Sequence, residues 1–323
     1  MSGSQTGERA RSTGRWELIR ALGALTVMSP PAVDSIAVSL GLTPWSRAEQ
    51  TQLFMLALPP YAAIHLGPEG KLGGEGADRI AGVWRTLGLT PPAEPDHLGT
   101  LLALYAELGD AGDAAQTELA RKRLSHARAV VLWEHLWSWV PGYLEALRRE
   151  SPAAASWARL LRRSIEREAK LTQGAAVLPV ALREAPEPIR LSDPREGLLD
   201  ALTAPLRVGF ILSLRDLAAA ARSLSIGLRR GERRFILKTM LEQNPTGTLR
   251  WLGDHARTWA ALHEHQPSVT ADPGPWWSAR ALCSAAALHE IAAHAMRTQE
   301  PRPRKRIPPP RWHVDGARVR TRS

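Results

Sequence analysis

Nowhere in the 323 residues does the chain sustain an apolar–polar alternation of period two, which removes most sheet-based folds from consideration. What recurs instead is helix punctuation. Ser29-Pro30, Ser151-Pro152 and Asn244-Pro245 each set a capping side chain before a proline at a first helical position. Ser213 with Asp216 three residues on resembles a capping box opening "LRDLAAAARSLSI". Ala, Leu and Arg dominate and β-branched residues are sparse, a bias toward helix. Helices are expected at 15–27, 30–40, 46–57, 75–88, 96–109, 113–140, 142–150, 152–171, 213–226, 230–243, 245–263 and 276–297. The expected fold class is all-α.

The same punctuation divides the chain. Residues 1–14 are polar and are expected to be disordered, ahead of a helical domain at 15–171. Residues 172–195, "TQGAAVLPVALREAPEPIRLSDPR", are proline-rich without helical period and form an expected linker or irregular connection. A C-terminal helical region follows at 196–297, and the like-charged, proline-broken tail 298–323 is expected to be disordered.

A net charge of +10 and a pI near 10.6 suggest nucleic acid until the charges are placed. Residues 297–323 carry nine basic and two acidic residues, and residues 1–20 carry four and two. Removing these from the totals of 42 and 32 leaves 29 basic against 28 acidic, so the body is almost neutral. No broad phosphate-binding face is implied. One cysteine, Cys283, excludes an internal disulfide. The N-terminus lacks an apolar signal core, and "AVVLWEHLWSWV" at 129–140 is too short and too charged to span a bilayer. A cytoplasmic location is expected.

Few residues form a catalytic pattern. In "HEIAAH", His289 and His294 are five apart, about 140° around a helix, so they do not share a metal-binding face. "HEH" at 263–265 fails likewise and is expected to be a surface feature at a helix C-terminus. Cys283, in "ALCSAAALHE", is expected to be a small buried residue. "GPEGKLGGEG" at 67–76 lacks the spacing of a phosphate loop. The Arg pairs of "GLRRGERRF" at 227–235 are expected to be solvated rather than a phosphate patch. Three tryptophans within seven residues, in "VVLWEHLWSWVPGYLEAL" at 130–147, are expected in the core, with a partner groove as the lesser alternative.

The stretch "EPDHLGTLLALYAEL" at 94–108 opens a helix on an acid, a proline, a second acid and an imidazole. Asp96 is expected as its N-cap, and Leu98, Leu101, Leu102, Tyr105 and Leu108 make an apolar stripe. Capping accounts for neither Glu94 nor His97.

Upstream lie Pro60-Tyr61, a glycine turn at 67–74 and the helix "RIAGVWRTLGL", and downstream lies "WEHLWSWVPGYLEAL". In this order the run resembles the TorD/DmsD/NarJ-like family of molybdoenzyme maturation chaperones, most clearly over 50–150. The resemblance implies an all-α, non-enzymatic cytoplasmic chaperone. Its implied partner is the precursor of a molybdopterin-dependent oxidoreductase, bound through a twin-arginine signal peptide until the cofactor is inserted. Carried onto this sequence, the implied peptide site is Tyr61, Trp84, Glu94, Pro95, Asp96, His97 and Leu98. No cofactor is expected: some relatives are suspected of holding a guanine nucleotide or the molybdopterin itself, but no phosphate-loop motif supports either here. Two rival classes remain: a helical nucleic-acid-associated protein anchored by its basic ends, and a helical enzyme using His97 with Asp96 as an acid–base pair.

Overall fold

A computed structural model describes residues 2–172, 177–190, 195–264 and 272–299. Among these residues there are sixteen α-helices and no strand. The first are α1 (Ser2–Val27), α2 (Asp34–Ser39), α3 (Arg47–Gln50), α4 (Ala62–Leu66) and α5 (Gly74–Thr86). Next come α6 (Leu98–Ala114), α7 (Glu118–Val130), α8 (Val140–Glu150) and α9 (Ala155–Leu171). The short α10 (Val180–Arg183), α11 (Arg195–Leu202) and α12 (Pro205–Val208) lead to α13 (Leu214–Ser223) and α14 (Arg233–Gln243). A long pair, α15 (Pro245–Glu264) and α16 (Gly274–Gln299), ends the described chain. π-helical turns at Thr51–Ala57 and Val131–Leu136 extend α3 and α7.

Several expected boundaries shift for physical reasons. Residues 2–14, expected to be disordered, continue α1: once the buried segment around Trp16 and Ile19 has nucleated a helix, extending it is cheap. The helix expected from residue 30 begins at Asp34, because Pro31 pushes Pro30 out of the helical region. The single helix expected at 113–140 is three pieces, broken before Thr117, which caps α7, and again after Leu136. Asn244 does cap α15 through Gly247 N–H (2.9 Å), and the Ser213–Asp216 capping box is present. A second box, Ser46 with Glu49, opens α3.

α1 runs antiparallel to α6, with Gly23 against Gly99 and Gly109 flat against the Trp16 ring. A β-carbon at Gly109 would sit inside that ring's contact distance, so the close crossing depends on glycine. The Trp16 indole N–H donates to Asp113 (2.7 Å) and the Trp157 indole to Leu22 O (3.1 Å), tying α9 to the same helix.

Buried residues from Trp16 to Ala292 form one apolar cluster, so the regions 15–171 and 196–297 share a core. Trp277 of α16 donates to Ser138 O across that boundary (2.8 Å). Gly209 (φ +77°) packs its backbone on Ala281, where any side chain would collide. The described part of the expected linker is a packed strap: Ala181, Leu182 and Ile189 are buried, and Pro186 O accepts from Arg280 (2.6 Å). Residues 173–176 and 191–194 of it, and the basic tail from 300, lie outside the described residues.

Two expectations about single residues are reversed. Cys283 is exposed, because it lies with Leu282 on the outward face of α16. His263 is buried, its Nε2 3.0 Å from Gly209 O and its ring stacked on Trp277; His265 lies outside the described residues. Of the two Arg pairs, Arg229 and Arg230 are exposed as expected, but Arg233 donates to Leu212 O (3.2 Å) and Arg234 pairs with Asp200 (2.6 Å).

Candidate peptide-binding site

The sequence-predicted site is organised by the meeting of two helix starts. Tyr61 precedes α4, His97 precedes α6, and the two form an isolated antiparallel bridge. Ala62 N–H donates to Asp96 O (3.0 Å) and Leu98 N–H to Pro60 O (2.8 Å). Each helix start thus supplies a partner for an N–H that the other leaves unpaired. The Pro59-Pro60 pair favours this extended approach, since proline fixes φ and biases its predecessor away from helix.

Asp96 is not the cap of its own helix. Its Oδ2 accepts from Ala63 N–H (3.0 Å), so it caps α4 from across the bridge. Its side chain is buried, and burial raises its pKa, opposed by the bond from Ala63. The cap of α6 is His97, whose Nδ1 accepts from Gly99 N–H (3.1 Å). That bond requires a neutral ring with its proton on Nε2. Burial lowers the His97 pKa, with Glu94 opposing, in keeping with the neutral ring.

Tyr61 packs edge-on against His97 (4.9 Å, 82°) and is partly exposed. Its hydroxyl is pushed up to about 12, by burial first and then by the Glu94 carboxylate beside it. Glu94 is exposed, and Pro95 is half-buried. Leu98 is fully buried and serves the core. Trp84, on α5, is half-buried with its indole N–H lacking a partner. The structure therefore brings Tyr61, Glu94, Asp96 and His97 together, spends Asp96 and His97 on caps, and removes Leu98 from the surface.

The exposed apolar side chains flanking this site were not predicted as part of it. Val27, at the end of α1, presses on Gly99 and is 57% exposed. Met28 follows it, and its carbonyl accepts from Gln50 (2.7 Å) at the end of α3. Met55 (71% exposed) and Leu56 (59%) lie on the π turn that leads into Pro59-Pro60-Tyr61. No periodic stripe marks these four, because they come from the end of one helix and an irregular turn.

Behind the bridge lies an aromatic cluster. His65 stacks on Trp139 (4.7 Å, 14°), and Tyr143 OH donates to Leu58 O (3.0 Å). Trp133, Trp137 and Trp139 are all buried, as the core expectation held. The cavity lined by His65, Trp137 and Trp277 has about 20 Å³ of room for a water-sized sphere, space for one water at most. It is a packed interior, and not a ligand pocket.

Residues 46–145 match the nitrate reductase delta subunit family. That family is one of helical, non-enzymatic chaperones for molybdoenzyme maturation. The matched segment runs from the Ser46 cap of α3 into α8 and holds every residue of the bridge, together with Trp84 and the tryptophan-rich turn. No curated protein and no solved structure matches the chain. Among the described residues no helix is long and apolar enough to cross a membrane.

Proposed function

We propose that the chain is a cytoplasmic maturation chaperone that binds the twin-arginine signal peptide, or the apo form, of a molybdopterin-dependent oxidoreductase and delays export until cofactor insertion. The observation that supports it is a division of labour between two carboxylates. Asp96 is buried and spent on α4, whereas Glu94 is exposed beside Tyr61. Glu94 is therefore the partner for a peptide guanidinium, and Val27, Met28, Met55 and Leu56 are the surface for the apolar part of the leader.

Magnitudes show why both halves are needed. Covering about four large apolar side chains gains roughly 6–12 kcal/mol at ~1.5–3 each. Ordering a flexible peptide costs roughly 2–5 kcal/mol. The remainder, about 4–7 kcal/mol, corresponds to millimolar to roughly ten-micromolar binding. A charge-assisted hydrogen bond to Glu94, at about 1.5–3 kcal/mol, adds the missing affinity and the selectivity for arginine.

Site-directed photocrosslinking tests the placement. A crosslinking side chain at Tyr61 should capture a synthetic twin-arginine leader, and one at exposed Arg222 on α13 should not. Equal capture at both positions, or none at Tyr61, contradicts the proposed site.

A further inference from the structure

Near-neutrality of the body hides an uneven placement of its charges. α7 and α9 together carry nine Lys/Arg against three Asp/Glu. Removing these from the 29 and 28 of the body leaves 20 basic residues against 25 acidic. Two helices are therefore strongly basic, while the remainder of the body is acidic on balance. Their three carboxylates are already taken. Glu118 pairs with Arg121 (2.6 Å) and Lys122 (3.8 Å), Glu166 with Arg162 (2.7 Å), and Glu168 with Arg15 of α1 (3.4 Å). Arg123, Arg163, Arg167 and Lys170 are exposed, with no carboxylate partner among the described residues. The dipole of α9 favours a cation in its last turn, which accounts for Lys170 alone.

Packing joins these cations into one face. Arg15 of α1 and Arg128 of α7 both set their guanidinium groups on the Trp16 ring, 3.9 Å and 4.8 Å from its centre. Arg15 also lines a cleft with Arg163 and Arg167 of α9. The cationic surface thus runs from α7 across α1 to α9. Apolar side chains stand out along it: Leu119 on α7 is 61% exposed, and Leu171 at the end of α9 is 58% exposed. No residue of α7 is buried. Leu119, Lys122, Arg123 and His126, at helical spacing, form one exposed stripe that serves nothing in the core.

Charge and exposed leucines together select the partner. The phosphates of a nucleic acid would pair with the cations and leave the leucines in water. An anionic bilayer supplies headgroup charge to the cations and, beneath it, an apolar layer to the leucines. We infer that the face formed by α7, Arg15 and α9 docks the chain on an anionic lipid surface. Along α1, Arg15 is twelve residues from Val27, roughly 18 Å at 1.5 Å per residue. Lipid docking is therefore separate from the leader site, goes beyond that reading and stands or falls independently of it.

Flotation of the full chain with phosphatidylcholine vesicles, with and without phosphatidylglycerol, tests this. Binding should require the anionic lipid and weaken as salt is raised, the mark of exposed charges. Near an anionic leaflet each Lys or Arg strengthens attachment by about fivefold. Lys122→Gln, Arg123→Gln, Arg163→Gln and Arg167→Gln combined should therefore weaken it at least about tenfold. Arg222→Gln, Arg229→Gln, Arg230→Gln and Lys238→Gln remove as many exposed charges elsewhere and should leave it nearly unchanged, which separates this face from the basic tail. Leu119→Ser with Leu171→Ser should weaken attachment without removing any charge. Binding that ignores the anionic lipid, or equal losses in the two fourfold variants, would overturn the proposal. So would undiminished binding in the leucine variant, or tighter binding to duplex DNA than to the anionic vesicles at equal phosphate concentration.

Discussion

At the scale of single residues, Asp96, His97 and Glu94 stand within four positions and do three different jobs. Asp96 accepts one backbone N–H of α4 while its charge is held against burial. Asp96→Asn keeps the acceptor and removes the buried charge, so thermal melting should change little or rise. Asp96→Ala loses the cap and should cost about 1–2 kcal/mol. Equal melting points for the two variants would contradict the capping role.

His97 gives a pH test whose sign follows from its neutral ring. Its folded pKa lies below the ordinary value of about 6.5. The stability it contributes is therefore complete above that ordinary value and is lost as pH falls through the folded one. His97→Asn supplies a capping oxygen that does not titrate. Between about pH 7.5 and about pH 5, wild type should lose more unfolding free energy than His97→Asn, at no more than ~1.4 kcal/mol per pH unit for one proton. Parallel losses in the two proteins, measured by urea denaturation, would show that the cap does not depend on the ring's charge.

At the scale of elements, the crossing of α1 and α6 is the part most sensitive to small changes. Gly109→Ala places a methyl group against the Trp16 ring and should cost about 1–3 kcal/mol. Gly112→Ala, three residues on, meets only Leu124 at ordinary contact distance (3.8 Å) and should stabilise by up to about 1 kcal/mol through helix propensity. Opposite signs in a denaturation series support the packing, and equal signs contradict it. Some elements with their own punctuation were legible in the sequence, although Ser151 forms no side-chain cap and Ser29 lies outside α2, whose N-cap is Val33. The Ser213–Asp216 box, the Asn244-Pro245 start and the apolar stripe of α6 all follow from local chemistry. What local chemistry did not reveal depends on distant partners. Asp96 caps a helix 33 residues away, and the short α4, α10 and α12 exist because the core buries them. Of the site, the positions Tyr61, Glu94, Asp96 and His97 were legible as a group, but the division between the two caps and the exposed carboxylate beside Tyr61 was not.

At the scale of the whole molecule, the family segment at 46–145 does not stand alone. Residues from 196 onward cover its aromatic side through Trp277, His263, Phe210 and Ile211, and the apolar cluster is continuous across both. A chain ending at residue 195 should expose Trp137 and Trp139, bind a hydrophobic dye and lose its cooperative melt. A truncated protein that melts as sharply and as high as the full chain would show that the C-terminal helices are dispensable to the fold. With the body of the chain nearly neutral, the proposed binding of a client relies on the local Glu94 carboxylate and not on a long-range field.

Pairing between that carboxylate and a client arginine is measured most directly by a double-mutant cycle in calorimetry, crossing Glu94→Gln with a leader whose arginines are replaced by glutamine. The account predicts that each single change weakens binding and that the second change adds little once the first is made, a coupling of about 1–3 kcal/mol. Losses that simply add, to within about 0.5 kcal/mol, would mean that Glu94 does not meet the arginines.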